Sequence, residues 1–250
     1  MPRFFVKTEQ IIDKQIIIIG EDVKHIKNVL RKQIGEIIEI CNQETGTTYK
    51  CEILELKEQE IINKIIDEIV DKGNKIKVDI YQGLPKADKM ELIIQKSIEL
   101  GAHAIIPVEM KRCIVKIDSK SENKKIERWQ KIAESAAKQS GRNIVPEVRK
   151  IIKVEEITKI KNSYDSIIVC YENEKNNYIK NELLRLKKEL SNKQDIRIAV
   201  VIGPEGGMEE KDVEYLKQNG AAIVTLGNRI LRTETVALNL LSIIMYELEN

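Results

Sequence analysis

Two glycine-rich turns carry the densest chemical signal in the chain. The first is Ile202-Gly203-Pro204-Glu205-Gly206-Gly207, entered from the apolar run Val200-Val201 and followed by Met208-Glu209-Glu210. Its three glycines let a backbone approach a ligand closely and take positive φ. No Gly-Lys-Ser/Thr follows and the spacing is not G-x-G-x-x-G, so neither phosphate-binding fingerprint is present. Glu205, Glu209 and Glu210 repel a polyphosphate and suit a cationic or neutral heteroaromatic ligand. The competing reading is a tight turn before a helix whose positive end favours Glu209 and Glu210. The second turn is Thr225-Leu226-Gly227-Asn228-Arg229-Ile230-Leu231-Arg232-Thr233-Glu234-Thr235. An Arg beside an acidic residue at the mouth of a Gly loop suits an anionic substrate through charge-assisted hydrogen bonds. A helix cap at Thr233 or Thr235, with solvated Arg229 and Arg232, is the structural alternative.

A third cluster is basic. Lys86 and Lys89 flank Ala87-Asp88, Lys111-Arg112 follows an apolar run, and Gln139-Ser140-Gly141-Arg142 closes a helical stretch. Residues 84–153 hold 16 basic and 9 acidic side chains, net +7, whereas the whole chain is only +2. Lysines and arginines facing phosphates release counterions, so this segment is a candidate nucleic-acid footprint. A solvated helix face in a Lys-rich chain is the alternative.

The elements that must position these residues change rhythm along the chain. Residues 1–72 are expected to be mostly β, with runs at Arg3–Val6, Ile16–Ile19, Glu36–Cys41 and Tyr49–Leu56. One helical stretch, Glu21–Arg31, places Val23, Ile26, Val29 and Leu30 at helical spacing. The turn signal Asp71-Lys72-Gly73-Asn74 marks the expected boundary between domains 1–72 and 73–250. Strands and helices alternate after it. Strands are expected at Ile76–Gln82, Ala104–Pro107, Ser166–Tyr171, Ile196–Ile202 and Ala222–Leu226. Helices are expected at Ala87–Leu100 (ended by Gly101), Glu122–Gln139, Lys175–Leu190, Glu209–Asn219 and Thr235–Glu249. Such α/β alternation predicts a largely parallel sheet covered by helices, with ligands beyond the carboxyl ends of its strands. The two Gly loops are then expected at adjacent strand ends on one rim.

Composition sets the outer bounds. With 250 residues, 42% hydrophobic and 33% charged, the chain can bury a core and is not globally disordered. Cys41, Cys51, Cys113 and Cys170 form no C-x-x-C pair, and His25 and His103 lie far apart, so neither a metal nor a disulfide framework is expected. No apolar run approaches a membrane span, and Met1–Lys7 has no signal-peptide core. A cytoplasmic protein is the expectation.

The pairing of Ile-Gly-Pro-Glu-Gly-Gly (202–207) with Leu-Gly-Asn-Arg-Ile-Leu-Arg-Thr-Glu-Thr (226–235) resembles the ribosomal RNA small subunit methyltransferase E family of the SPOUT superfamily. Arg3-Phe-Phe-Val, His25, Val29-Leu30-Arg31, Gly35, Leu84-Pro-Lys-Ala-Asp-Lys-Met, Glu99-Leu-Gly, Gln139-Ser-Gly-Arg142 and Pro146 extend the likeness over nearly the whole chain. The resemblance implies a small PUA-like β-barrel RNA-binding domain, then a SPOUT α/β domain with a C-terminal deep trefoil knot. It implies a homodimer that uses S-adenosyl-L-methionine to methylate N3 of a uridine in 16S rRNA of the small ribosomal subunit. Carried over residue by residue, Ile202, Gly203, Gly207, Thr225, Leu226 and Gly227 line the cofactor cleft, with Ile230 and Leu231 over the adenine. On the same reading Arg232 holds the target base or its developing charge, and Glu205 or Glu234 is the proton acceptor. Lys86, Arg112 and Arg142, with Arg3, His25 and Arg31, are the candidate RNA-backbone contacts. Three other functions compete: a SPOUT methyltransferase acting on a ribose 2′-hydroxyl, a non-catalytic RNA-binding assembly factor, and a small-molecule or nucleotide-binding enzyme with a doubly wound sheet, against which the acidic loop and the missing phosphate-binding lysine speak.

Overall fold

Alternating side chains build the first sheet. The computed structural model describes residues 3–69 and 75–249, so the turn Asp71–Asn74 and the expected boundary at residue 72 lie outside the described residues. The chain divides into two units, residues 1–73 with 137–145, and residues 74–136 with 146–250.

The first unit contains β1 (Arg3–Val6), β2 (Ile11–Ile12), β3 (Gln15–Ile19), α1 (Glu21–Lys24), β4 (Ile37–Asn42), β5 (Thr48–Leu56) and β6 (Glu60–Ile69). They form a six-stranded sheet in the order β1-β4-β5-β6-β3-β2, parallel only between β1 and β4. Phe4 and Val6, Ile16 and Ile18, Ile38 and Ile40, and Cys51 and Ile53 are buried at i, i+2, as one sheet face requires. Burial pushes the Cys51 thiol up to about 12. The expected helix over 21–31 is shorter: α1 passes into a π-helical turn, His25–Val29. The wider turn displaces Val29 from the face of Val23 and Ile26, and it is 66% exposed while they are buried. Strand β6 had no counterpart in the sequence reading. Its isoleucines at 61, 62, 65, 66 and 69 repeat with a nearly helical period, and pairing with β3 and β5 overrides it. Residues 137–145 count with this unit through side-chain bonds: Lys138 Nζ meets Asp22 at 2.7 Å, and Thr48 Oγ1 donates to Asn143 Oδ1 at 3.1 Å.

The second unit contains β7 (Ile76–Gly83), α2 (Lys89–Glu99), β8 (Ala104–Glu109), α3 (Ser119–Ser140, except its last residues 137–140), β9 (Glu147–Val148), β10 (Ile152–Lys153), α4 (Val154–Lys159), β11 (Ser166–Cys170), α5 (Ile179–Glu189), β12 (Ile196–Ile202), α6 (Glu210–Gln218), β13 (Ala222–Val224) and α7 (Thr233–Leu248). Every strand pairing is parallel, in the order β10-β8-β7-β12-β11-β13, with β9 also on β8. The central strands β7 and β12 are almost continuously buried, which explains their Ile- and Val-rich sequences. Gly101 follows α2 at φ +103, as a helix-ending residue should.

One buried polar cluster holds this sheet. Asp79, 1% exposed on β7, has Oδ1 2.6 Å from His103 Nδ1 and accepts from Tyr164 OH at 2.6 Å, while Arg149 Nη1 stands 3.4 Å away. Tyr81, two residues on and so on the same face, donates to Tyr164 OH at 2.8 Å. Burial pushes the Asp79 carboxyl up, but hydrogen bonds from His103 and Tyr164 and the charge of Arg149 outweigh it and hold the carboxyl below its usual range. A depressed folded-state value means the stabilisation is complete above the unfolded aspartate value, ~3.9. It is lost as pH falls through the folded value. Asp79→Asn leaves the cluster without its anion and is expected to cost about 3 kcal/mol. That lowers Tm by about 6–12 °C at neutral pH and flattens the acid limb of the stability curve, both measurable by calorimetry. An unchanged Tm would contradict the role given to the cluster.

Among the described residues no helix is long and apolar enough to cross a membrane, and no three His, Cys, Asp or Glu side chains gather as metal ligands would.

Candidate active site

Strand register places the two glycine turns. Gln82, Ile202, Cys170 and Val224 lie in one row across β7, β12, β11 and β13. Gly83, Gly203, Tyr171 and Thr225 therefore come next along the chain at the same carboxyl-terminal edge, Gly83 as the last residue of β7. Both Gly loops share that rim, as expected, but their strands are not neighbours, because β11 lies between β12 and β13. Adjacency in sequence suggested a direct pairing; the crossover put a third strand end, with its own loop, in the middle.

Thr233 ties the first loop to the last helix. Its Oγ1 donates to Gly203 O at 2.7 Å and accepts from Gln82 Nε2 at 2.8 Å, and both side chains are buried. The Thr233 hydroxyl thus bonds outward to the loop instead of capping its own helix. Loop 203–208 folds tightly on itself. A Cβ added at Gly203 would lie 2.9 Å from Met208 Cγ and 3.1 Å from the Gly207 carbonyl carbon. Gly207 takes φ +71, and a Cβ there would clash with Glu172 Oε1. In the second turn Gly227 N donates to Thr225 Oγ1 at 3.3 Å. Leu226, Gly227 and Leu231 are half-buried, whereas Ile202 is buried and Ile230 is 89% exposed. The rim thus presents bare backbone beside apolar side chains, which suits a flat neutral ring.

The charged residues separate into paired and unpaired groups. Lys89 Nζ, 28% exposed, lies 3.1 Å from Glu205 Oε1 and 3.3 Å from Glu234 Oε2, bringing together two carboxylates 29 positions apart in sequence. Burial pushes the Glu205 carboxyl up, but backbone N–H groups of its own residue and of Lys86, with the Lys89 ammonium, more than offset this and keep it below the usual range. The glutamate partners raise the Lys89 ammonium in turn. Lys111 pairs with Glu209 at 3.0 Å, and Arg112 Nη1 donates to Gly206 O at 3.1 Å. Arg232 and Arg229 are exposed and have no side-chain hydrogen bond or ion pair among the described residues.

Of the expected RNA contacts, Lys86 and Arg112 meet the first Gly loop, the former through its backbone N–H at 3.1 Å from Glu205 Oε1. In the other unit, Arg3 pairs through Nε with Glu39 at 2.9 Å, and its Nη1 donates to Gly141 O and Asn143 Oδ1, so it joins β1 to the turn that carries Arg142. His25 packs edge-on against Phe4 at 6.2 Å between ring centroids, and Arg31 is exposed at φ +52. Sequence reasoning placed Lys89 in the basic cluster without a role at this site, and did not name the loop after β11. The Lys sat inside a quoted motif, but nothing in its spacing pointed to carboxylates 116 and 145 positions away.

Comparison with known proteins agrees with this architecture. Residues 72–245 match the RNA methyltransferase domain family, and residues 18–66 match the RNA methyltransferase PUA domain family. The ribosomal RNA small subunit methyltransferase E of Bacillus subtilis is 39% identical over 254 residues, covering 100% of this chain and 98% of its own. The protein of that name from Mesomycoplasma hyopneumoniae is 30% identical, covering 97% and 98%. The crystal structure of a Neisseria gonorrhoeae ribosomal RNA small subunit methyltransferase E bound to S-adenosyl methionine superimposes with a TM-score of 0.82 at 30% identity, covering 98% of this chain and 97% of that one. An α/β unit of parallel strands and a PUA-like unit, together matching these relatives from end to end, show that the chain belongs to the ribosomal RNA small subunit methyltransferase E family.

Proposed function

We propose that this protein is an S-adenosyl-L-methionine-dependent methyltransferase acting on N3 of a uridine in 16S rRNA of the small ribosomal subunit. The observation that carries this reading is the junction of the two turns at one rim, with Thr233 at the head of α7 bonded to Gly203 at the end of β12. The residues present fit the cofactor. Bare backbone at Gly203 and Gly207, apolar Leu226, Ile230 and Leu231, and the absence of a phosphate-binding lysine suit a neutral adenine. S-Adenosylmethionine supplies, when bound, a methyl group on a positively charged sulfur.

The chain's own residues must then hold uracil in line and manage its N3 proton. N3 lies between two carbonyls, so its anion spreads onto O2 and O4. Arg232, exposed beside the Thr233 junction and unpaired among the described residues, is the group assigned to those oxygens. Glu205 is a poor proton acceptor, because backbone N–H donors and Lys89 hold its carboxyl below the usual range. Glu234, two residues from Arg232, takes the proton-accepting role in this proposal, with Lys89 orienting both carboxylates. Lys86 and Arg112 flank the first loop, and Arg3, His25, Arg31 and Arg142 belong to the PUA-like unit. These residues position RNA backbone, and the target base must leave its stack.

The same reading includes a C-terminal trefoil knot, a homodimer and a cytoplasmic setting. The crossover that takes the chain from β12 past β11 to β13, and the return of α7 to pack on α2 and β7, support the knot. The test is transfer of labelled methyl from S-adenosylmethionine to unmethylated 30S particles, followed by nucleoside analysis. A 3-methyluridine peak is expected. Label on a ribose would move the chemistry to the 2′-hydroxyl, and no label despite cofactor binding would overturn the substrate.

A further inference from the structure

The loop that the crossover places between the two Gly turns carries a carboxylate with no partner among the described residues. This loop, residues 171–178, is locked to the second turn and its strand. Tyr171 N donates to Val224 O at 3.1 Å, Asn177 Nδ2 to Ile223 O at 2.9 Å, Thr225 N to Asn177 O at 2.8 Å, and Ile179 N to Thr225 O at 3.1 Å. Glu174 stiffens it further, accepting from the N–H groups of Lys175, Asn176 and Asn177 at 2.9, 2.8 and 3.1 Å. On the other side Glu172 rests against the first turn. Its Oε1 occupies space that a side chain on Gly207 would need.

Most other acids of these loops and of the start of α7 are matched, Glu210 at the start of α6 being the exception among the described residues. Glu205 and Glu234 share Lys89, Glu209 has Lys111, and Glu174 has its three N–H groups. Glu172 is exposed and has neither an ion pair nor a side-chain hydrogen bond among the described residues. A negative charge carried on a tied loop against the backbone of a glycine turn attracts a cation strongly once a ligand displaces water from the rim.

We propose that Glu172 recognises the positive charge on the amino-acid end of the cofactor, and so selects it over uncharged nucleosides. This rests on the S-adenosylmethionine reading above. In the dimension of affinity, Glu172 is a specificity determinant rather than a proton carrier, since it adds a contact that the adenine-binding backbone cannot supply.

The experiment compares wild type with Glu172→Gln, which keeps size and removes charge. Calorimetry measures their affinities for S-adenosylmethionine, S-adenosylhomocysteine and 5′-methylthioadenosine, the last keeping the nucleoside and sulfur without either charge. The expected result is a roughly ten- to hundredfold loss for S-adenosylmethionine with 5′-methylthioadenosine unchanged. A matching loss for S-adenosylhomocysteine assigns the contact to the ammonium, and loss confined to S-adenosylmethionine assigns it to the sulfonium; both support the proposal. Equal losses for all three ligands would show a distorted loop and overturn it, as would an affinity for S-adenosylmethionine within twofold of wild type. Failure of wild type itself to bind S-adenosylmethionine would instead strike the cofactor reading on which the proposal stands.

Discussion

Gly203→Val is expected to abolish binding of S-adenosylhomocysteine while the protein keeps its secondary structure. The reason is steric and local. Already the first added carbon lies 2.9 Å from Met208 Cγ and 3.1 Å from backbone at Gly207, and valine adds two methyl groups beyond it. Neither neighbour can yield without moving the turn, and Gly203 O is also fixed by Thr233 Oγ1 at 2.7 Å. The turn must therefore open toward the rim, where the proposed function puts the adenine. Calorimetric titration against S-adenosylhomocysteine checks the prediction, with circular dichroism as the control for folding. A folded variant of unchanged affinity would remove Gly203 from the cofactor cleft.

Arg232→Ala should do the reverse, sparing the cofactor and reducing turnover. Arg232 takes extended backbone angles, φ −67 and ψ 150, immediately before α7, and the bond from Thr233 to Gly203 fixes where that backbone stands relative to the first turn. Its guanidinium is committed to nothing within the described chain. Removing a donor aimed at a developing oxyanion costs roughly 10²–10³ in turnover. Lysine at this position is expected to recover only part of the rate, because a single ammonium cannot fork between two acceptors as a guanidinium does. Single-turnover methylation of 30S particles measures the effect, and calorimetry shows cofactor affinity within twofold of wild type. Wild-type rates in Arg232→Ala would end the assignment.

The depressed carboxyl of Glu205 bears on both variants. A carboxylate that already accepts backbone N–H bonds and an ammonium is a better strut than base. Its connection from the first turn, through Lys89, to Glu234 at the head of α7 gives the rim a second tie beside the Thr233 bond.

Local pattern alone already specified much of this protein. The strand Ile196–Ile202 was legible to the residue, because a buried parallel strand is a nearly continuous apolar run, broken here only by Arg197, that ends where glycine and proline begin. The helix stop at Gly101 and the two Gly turns were legible for the same reason: each is dictated by a few neighbouring residues whose backbone freedom is unlike the rest. Strand β6 was not, since its isoleucines fit a helix as well as a strand and only its partners β3 and β5 settle the choice. Nor was the site's completion. Strand order is set by long-range packing, which no window of neighbouring residues encodes, and it inserted β11 between the two turn-bearing strands. That insertion delivered Glu172 to Gly207, just as the approach of α2 to α7 and to the first turn delivered Lys89 to two distant glutamates. Turns and strands follow from short-range sterics and burial period, while the charges that meet across them follow from the order in which the strands pack.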